Sequence, residues 1–179
     1  MAKRRAWQAH DGTVFDLALA PDGETLATAG ADKLVRFWSL ANGGPLMQIE
    51  AHNSPVLSLA YKPDGALLAS GGADKELKIW DTKTREQKNL VTGHPGNVAA
   101  IAWPEKKAEL ITASDDGALR LCSETGTRPG KTWAKAADLL HCLAATSDGQ
   151  LLYGGADNGR VYAWDRNGKI TRTLEPPAP

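Results

Sequence analysis

The stretch Gly71–Asp81, GGADKELKIWD, decides the fold. It leaves a glycine-rich turn, crosses a loop carrying an acid and runs a short apolar strand into Trp80-Asp81. Nearly the same phrase stands 42 residues earlier as AGADKLVRFWS, Ala29–Ser39, and returns later as GGADNGRVYAWD, Gly154–Asp165. A recurrence at fixed spacing marks an array of like units, so the spacing is the first thing to test.

The spacing holds in four columns at once. Trp38, Trp80, Cys122 and Trp164 lie 42 residues apart at each step, as do His10, His52, His94 and Ala136. The loop acids Asp32, Asp74 and Asp116 continue to Asn158, and Thr28, Ser70 and Thr112 continue to Gly154. Each unit opens on a strand apolar on both faces, TVFDLALA, PVLSLAYK, NVAAIAWP or LLHCLAAT, which suits a strand covered on both sides. A hairpin turn follows at Pro21 (PDGE), Pro63 (PDGA) and Ser147 (SDGQ), where Asp and Gly favour tight reversal; the third unit has PEKK and must turn without glycine. The last segment of each unit, as in REQKNLV and KITRTLE, is poor in apolar residues and is expected at the exposed outer edge. Four short antiparallel strands grading from buried to solvated describe one propeller blade.

With His52 in AHNSPV, His94 in TGHPGNV, and the Trp-Asp pairs at Trp80 and Trp164, the chain resembles the WD40 repeat family over nearly its whole length. The resemblance implies an all-β, WD40-type β-propeller array. Blades are expected at about 11–50, 53–92, 95–134 and 137–175, with residues 4–8 an extra outer-strand segment. It also implies a buried hydrogen-bonded tetrad in each intact blade: His10, Thr28, Asp32 and Trp38, then His52, Ser70, Asp74 and Trp80. A repeated His, hydroxyl and Asp could suggest a hydrolase triad, but a catalytic set occurs once, around one cleft, with an exposed nucleophile. The repetition favours internal fastening. The third blade keeps His94, Thr112 and Asp116 but has Cys122 for Trp and is expected to be looser; the fourth, with Ala136, Gly154 and Asn158, is expected to lack a tetrad.

Four blades leave one sheet face bare at each end, more apolar surface than a monomer normally tolerates. A two-fold homodimer closing an eight-bladed ring is the simplest remedy; a fragment of a longer propeller is the alternative. Trp7 aligns with Ile49, Val91 and Trp133 of the outer strands, so the 4–8 segment could reach blade four of a second copy.

Partners of the family usually dock on the face built by the loops before the first strand and between the second and third strands. The residue preceding each loop acid points into that face in family members, and here it is Ala31, Ala73, Asp115 or Asp157; Asp11, Asn53, Asn97 and Asp138 flank them. Half of that face is small and neutral, half acidic. With no Lys or Arg at these positions and 21 basic residues balancing 21 acidic ones, a basic or neutral peptide or protein is the expected partner, and nucleic acid is not. No apolar run of membrane-spanning length and no secretory signal is seen, so a cytoplasmic protein with no membrane partner is expected. Cys122 and Cys142 lack metal-ligand spacing and read as free thiols. No cofactor, metal or catalytic residue is assigned, although His141, outside the repeated column, could face the channel. The leading reading is a non-catalytic interaction scaffold, ahead of a spacer piece of a larger protein and of an enzyme with a channel site.

Overall fold

In the computed structural model, which describes residues 7–105 and 109–176, sixteen strands form four antiparallel sheets. Each sheet is a meander of four consecutive strands. The first holds β1 (Val14–Leu19), β2 (Thr25–Gly30), β3 (Leu34–Ser39) and β4 (Pro45–Glu50). The second holds β5 (Val56–Tyr61), β6 (Leu67–Gly72), β7 (Leu77–Asp81) and β8 (Gln87–Val91). The third runs β9 (Val98–Ala102), β10 (Glu109–Ser114), β11 (Ala118–Ser123) and β12 (Thr132–Lys135), and the fourth β13 (Leu140–Ala145), β14 (Leu151–Ala156), β15 (Val161–Asp165) and β16 (Ile170–Leu174).

Local chemistry sets the turns. In the first hairpin Gly23 adopts φ 70° and its N–H reaches the Ala20 carbonyl at 2.9 Å, while Asp22 Oδ1 accepts the Glu24 amide at 2.8 Å. The PEKK turn falls partly on residues 106–108, outside the described residues. The loop between second and third strands needs a left-handed residue in each blade. Blades three and four supply Gly117 and Gly159, but blades one and two use Lys33 (φ 71°) and Lys75 (φ 67°), an uncommon conformation for a side-chain-bearing residue.

The sheets stack in chain order, and apolar residues fill three seams. Ala27, Val35 and Phe37 of blade one meet Val56, Leu59 and Trp80 of blade two. Leu77, Ile79 and Val91 meet Val98, Ile101 and Cys122 across the second seam; Leu119 and Ala134 meet Leu140 and Trp164 across the third. Polar clasps join the innermost strands: Asp16 Oδ2 accepts the Leu59 amide at 2.7 Å, and Ser58 Oγ donates to the Val98 carbonyl at 3.1 Å. β1 packs on β5, β5 on β9 and β9 on β13, but β13 does not pack on β1 in this way. The row is open.

Two expectations need correction. The first strand of every unit is expected to be covered on both sides; β1 is not, because no sheet among the described residues packs on its outer face, and Val14, Leu17 and Leu19 are 40, 59 and 58% exposed. The 4–8 segment falls partly outside the described residues, but Trp7 and Gln8 are not in a strand. Trp7 instead leans on Trp38 of its own first blade, ring centroids 5.8 Å apart. The outermost strand β16 is exposed as its polar composition suggests; β4 is exposed too, but with Leu46 and Met47 on it and so not through a polar composition, and β8 is only partly exposed, because Val91 is buried and Asn89 Nδ2 donates to the Gly126 carbonyl of the next blade at 2.7 Å.

Candidate functional site

Two constellations attach to this framework: the repeated polar network inside the blades and the loop face above it. In blade one the His10 imidazole, buried, lies 2.7 Å from Asp32 Oδ1 through Nδ1 and 2.7 Å from Thr28 Oγ1 through Nε2. Thr28 Oγ1 accepts the Trp38 indole N–H at 3.0 Å, which leaves the hydroxyl proton to donate to Nε2 and the Nδ1 proton to donate to Asp32. Blade two repeats this: His52 to Asp74 at 2.9 Å, His52 to Ser70 at 2.8 Å and Trp80 to Ser70 at 2.9 Å. The backbone amide after each histidine closes the set, Asp11 N donating to Asp32 Oδ2 at 3.1 Å and Asn53 N to Asp74 Oδ2 at 3.0 Å.

Electrostatics follow from these contacts. Burial pushes the Asp32 carboxyl up, but the bonds from His10, the Asp11 amide and Arg36 together outweigh it and hold its pKa below the usual value. His52 is held below its ordinary pKa by burial, against the pull of Asp74. His52, Asp74 and Glu76 come close enough to share a cation. Each already has a partner, however: His52 has both Ser70 and Asp74, and Glu76 lies 3.3 Å from Lys78 Nζ.

Blade three departs further than its sequence suggests. His94 Nε2 keeps Thr112 at 3.1 Å and Cys122 Sγ stands 3.6 Å from the Thr112 hydroxyl, a weak substitute for an indole. Asp116 has left the histidine altogether: its oxygens accept Arg120 at 3.1 and 2.5 Å, and His94 Nδ1 is buried without a partner. The cause is legible one residue after the histidine. Where Asp11 and Asn53 donate an amide, blade three has Pro95, which carries no N–H. Released from that bond, the carboxylate turns to the guanidinium, and Arg120 holds its pKa down. Burial first and Arg120 second push the His94 pKa down to about 4. The His-Pro dipeptide was the available signal, and reading only the four columns misses it. In blade four Trp164 is fully buried with Nε1 unpaired, the absent side chain of Gly154 leaves room for its ring, and Asn158 Nδ2 donates to the Tyr162 hydroxyl at 3.2 Å.

The loop face is assembled by one backbone bond per blade. The amides of Ala31, Ala73, Asp115 and Asp157 donate to the carbonyls of Thr13, Pro55, Asn97 and Leu139 at 2.9, 3.0, 3.3 and 3.0 Å. These bonds tie the loop between second and third strands to the one before the first strand, so all eight expected face residues lie on the same pair of loops in each blade. Ala31 and Ala73 are half-buried; Asp115, Asp157, Asp11 and Asn53 are exposed; Asn97 and Asp138 are intermediate. Asp138 caps the Leu139 amide at 2.8 Å. His141 reaches up from β13 to Asp157, Nε2 to Oδ1 2.9 Å, and also borders a cavity of about 150 Å³ shared with Phe15, Asp16, Leu57, Ala99 and Cys142 of the innermost strands. Both Asp16 oxygens there are taken, by the amides of Leu59 and Leu17.

Four meandering sheets stacked face to face, the first three pinned by a buried His–hydroxyl network and all four opening onto a common loop face, define an array of β-propeller blades. The sequence family described as WD40 (WD domain, G-beta repeat) matches residues 2–39, 43–81 and 85–123, and the chain belongs to that family. The matches end with the third repeat; the unit without a tetrad lies beyond them. The chain is also 44% identical over 39 residues to the Denticleless protein homolog of Danio rerio, a likeness covering 22% of this chain and 6% of that protein. No helix among the described residues is long and apolar enough to cross a membrane.

Proposed function

We propose that the chain is a non-catalytic interaction scaffold that docks a protein or peptide on the loop face, its basic or neutral residues meeting the acidic half over blades three and four. The observation that carries this reading is the row Ala31, Ala73, Asp115 and Asp157, each held to the neighbouring loop by its own amide, with Asp115 and Asp157 exposed. Small residues over two blades admit close approach of a backbone; carboxylates over the other two favour Lys or Arg through charge-assisted bonds. The repeated histidines are committed to internal bonds, which leaves them no reactive role.

The test is fluorescence anisotropy with labelled peptide pools, Lys/Arg-rich against Asp/Glu-rich. The basic pool binds the parent chain better, and the Asp115→Asn, Asp157→Asn double variant abolishes the preference while melting as the parent does. Equal binding of both pools, or an unchanged preference in the variant, overturns the reading.

We further infer that two copies complete an eight-bladed ring. What supports this is the first face of blade one, where Val14, Leu17 and Leu19 are exposed, together with the exposed Cys142 on the last face of blade four.

A further inference from the structure

Each seam is built from the same register of residues, so the two unpaired faces can be compared position by position with the three that are paired. On the leading face, Val14 corresponds to Val56, Val98 and Leu140, and Leu17 to Leu59 and Ile101. Val56 and Val98 are 0% exposed and Leu140 1%, against 40% for Val14. On the trailing face, the residues that receive this side chain are Asp16 and Ala29 in blade one, Ser58 and Gly71 in blade two, Ala100 and Ala113 in blade three, and Cys142 and Gly155 in blade four.

The second seam shows how the fit works. A Cβ added at Gly71 would lie 2.6 Å from Val98 Cγ1 and 2.5 Å from Ser58 Oγ, so the glycine is a notch that the valine of the next blade fills. Blade four carries the same notch. A Cβ at Gly155 would lie 2.8 Å from Cys142 Sγ and would meet nothing else within 4 Å among the described residues. Cys142 is an exposed free thiol. The notch has its small polar neighbour and lacks its valine.

Further out on the same faces the residue sizes differ as well. In the first seam the large Phe37 shares a cluster with Trp80. The residue at the Phe37 position of blade four is Ala163, the smallest in its column of Phe37, Ile79, Leu121 and Ala163. Opposite it, on Trp38, lies the added ring of Trp7. Ala163 is already covered within its own blade, at 3% exposed, so the junction is specified by the notch and not by this pair.

We propose that Val14 of a second copy seats in the Gly155–Cys142 notch of blade four, so that the chain carries both halves of its own junction. The proposal rests on the two-copy ring and specifies its register. In a two-fold ring both junctions are identical, and each copy gives one leading and one trailing face.

The experiment uses the full chain carrying Val14→Cys beside native Cys142, oxidised mildly with oxidised glutathione, with molar mass read by light scattering and the bridge located by peptide mapping. The expected result is a mass of twice the chain before oxidation and, after it, a covalent dimer whose bridges join positions 14 and 142 of different copies. A dimer without that bridge overturns the register and leaves the ring reading standing. A monomer, or a 14–142 bridge within one chain, overturns both. A second variant, Gly155→Val, fills the notch on the chain's own side; it is expected to shift the mass to that of one chain with the far-ultraviolet circular dichroism of four blades unchanged. A persisting dimer in that variant overturns the register.

Discussion

His94 and Asp116 share no hydrogen bond, although their counterparts His52 and Asp74, 42 residues earlier, stand 2.9 Å apart. The difference traces to Pro95, which removes the amide that Asn53 gives to Asp74 and lets Arg120 take the carboxylate. A buried imidazole nitrogen is left unpaired, at a cost of about 1–3 kcal/mol. Pro95→Asn restores the donor. It is expected to stabilise the chain by about 1 kcal/mol in urea unfolding and to bring the His94 Nδ1 proton into a slowly exchanging hydrogen bond visible by NMR. An unchanged midpoint with no new protected imidazole proton would show that proline is not the cause.

The intact tetrads make an unequal pair with this one. Ser70 serves two buried partners, the Trp80 indole and His52 Nε2, so Ser70→Ala orphans both. Thr112 serves His94 Nε2 and only a weakly bonding thiol, so Thr112→Ala orphans one. Each orphan costs about 1–3 kcal/mol. Ser70→Ala is therefore expected to lower stability by roughly twice as much as Thr112→Ala, measured by chemical denaturation of both variants. Equal losses would mean that the hydroxyls act through packing alone.

Acid should loosen the third blade before Asp32 and Asp116 titrate. The His94 pKa is about 4 in the fold and 6.5 as an ordinary histidine, so between those values the unfolded chain binds a proton that the folded chain refuses. Stability is complete above the higher value and is lost as pH falls through the window, at up to about 1.4 kcal/mol per pH unit from this group. His52, shifted in the same direction by burial, adds to the slope. Asp32 and Asp116, held below 3.8, lose their contributions only at still lower pH. Unfolding midpoints measured across the window should fall steadily with acid for the parent chain and less steeply for His94→Gln. Parallel slopes would remove His94 as the source.

Much of this architecture was legible in the sequence because the repeat writes each strand four times in one register, and a pattern of that kind survives local irregularity. Departures at Cys122, Ala136, Gly154 and Asn158 were legible for the same reason, as breaks in a column. What escaped lay between the columns. Pro95 acts through a missing backbone proton, which a side-chain alignment does not display. Trp7 aligned with outer-strand residues by spacing, yet packs on Trp38, an apolar ring on a face that no other described sheet covers. The loop face depends on four backbone bonds whose donors could be Ala or Asp alike, so the residue types gave its chemistry but not its geometry.

The left-handed position of the loop between second and third strands gives opposed results in different blades. Lys75 holds φ 67° there with its side chain exposed, whereas Gly117 holds φ 73° in blade three. A side chain in this region costs about 1–2 kcal/mol, and glycine gives back about 0.5–1 kcal/mol through the entropy of the unfolded chain. Lys75→Gly is thus expected to raise stability by about 0.5 kcal/mol, and Lys33→Gly by a similar amount. The reverse change is costlier than the backbone alone implies, because a Cβ at Gly117 would stand 3.1 Å from the Asp138 carbonyl oxygen, tighter than ordinary contact. Gly117→Ala should therefore lower stability by about 2 kcal/mol, and with it the thermal midpoint by several degrees. Calorimetry of the three variants checks both signs together. A stabilising Gly117→Ala would show that the loop can relax out of the left-handed region, and the gain assigned to the lysine replacements would then lose its basis.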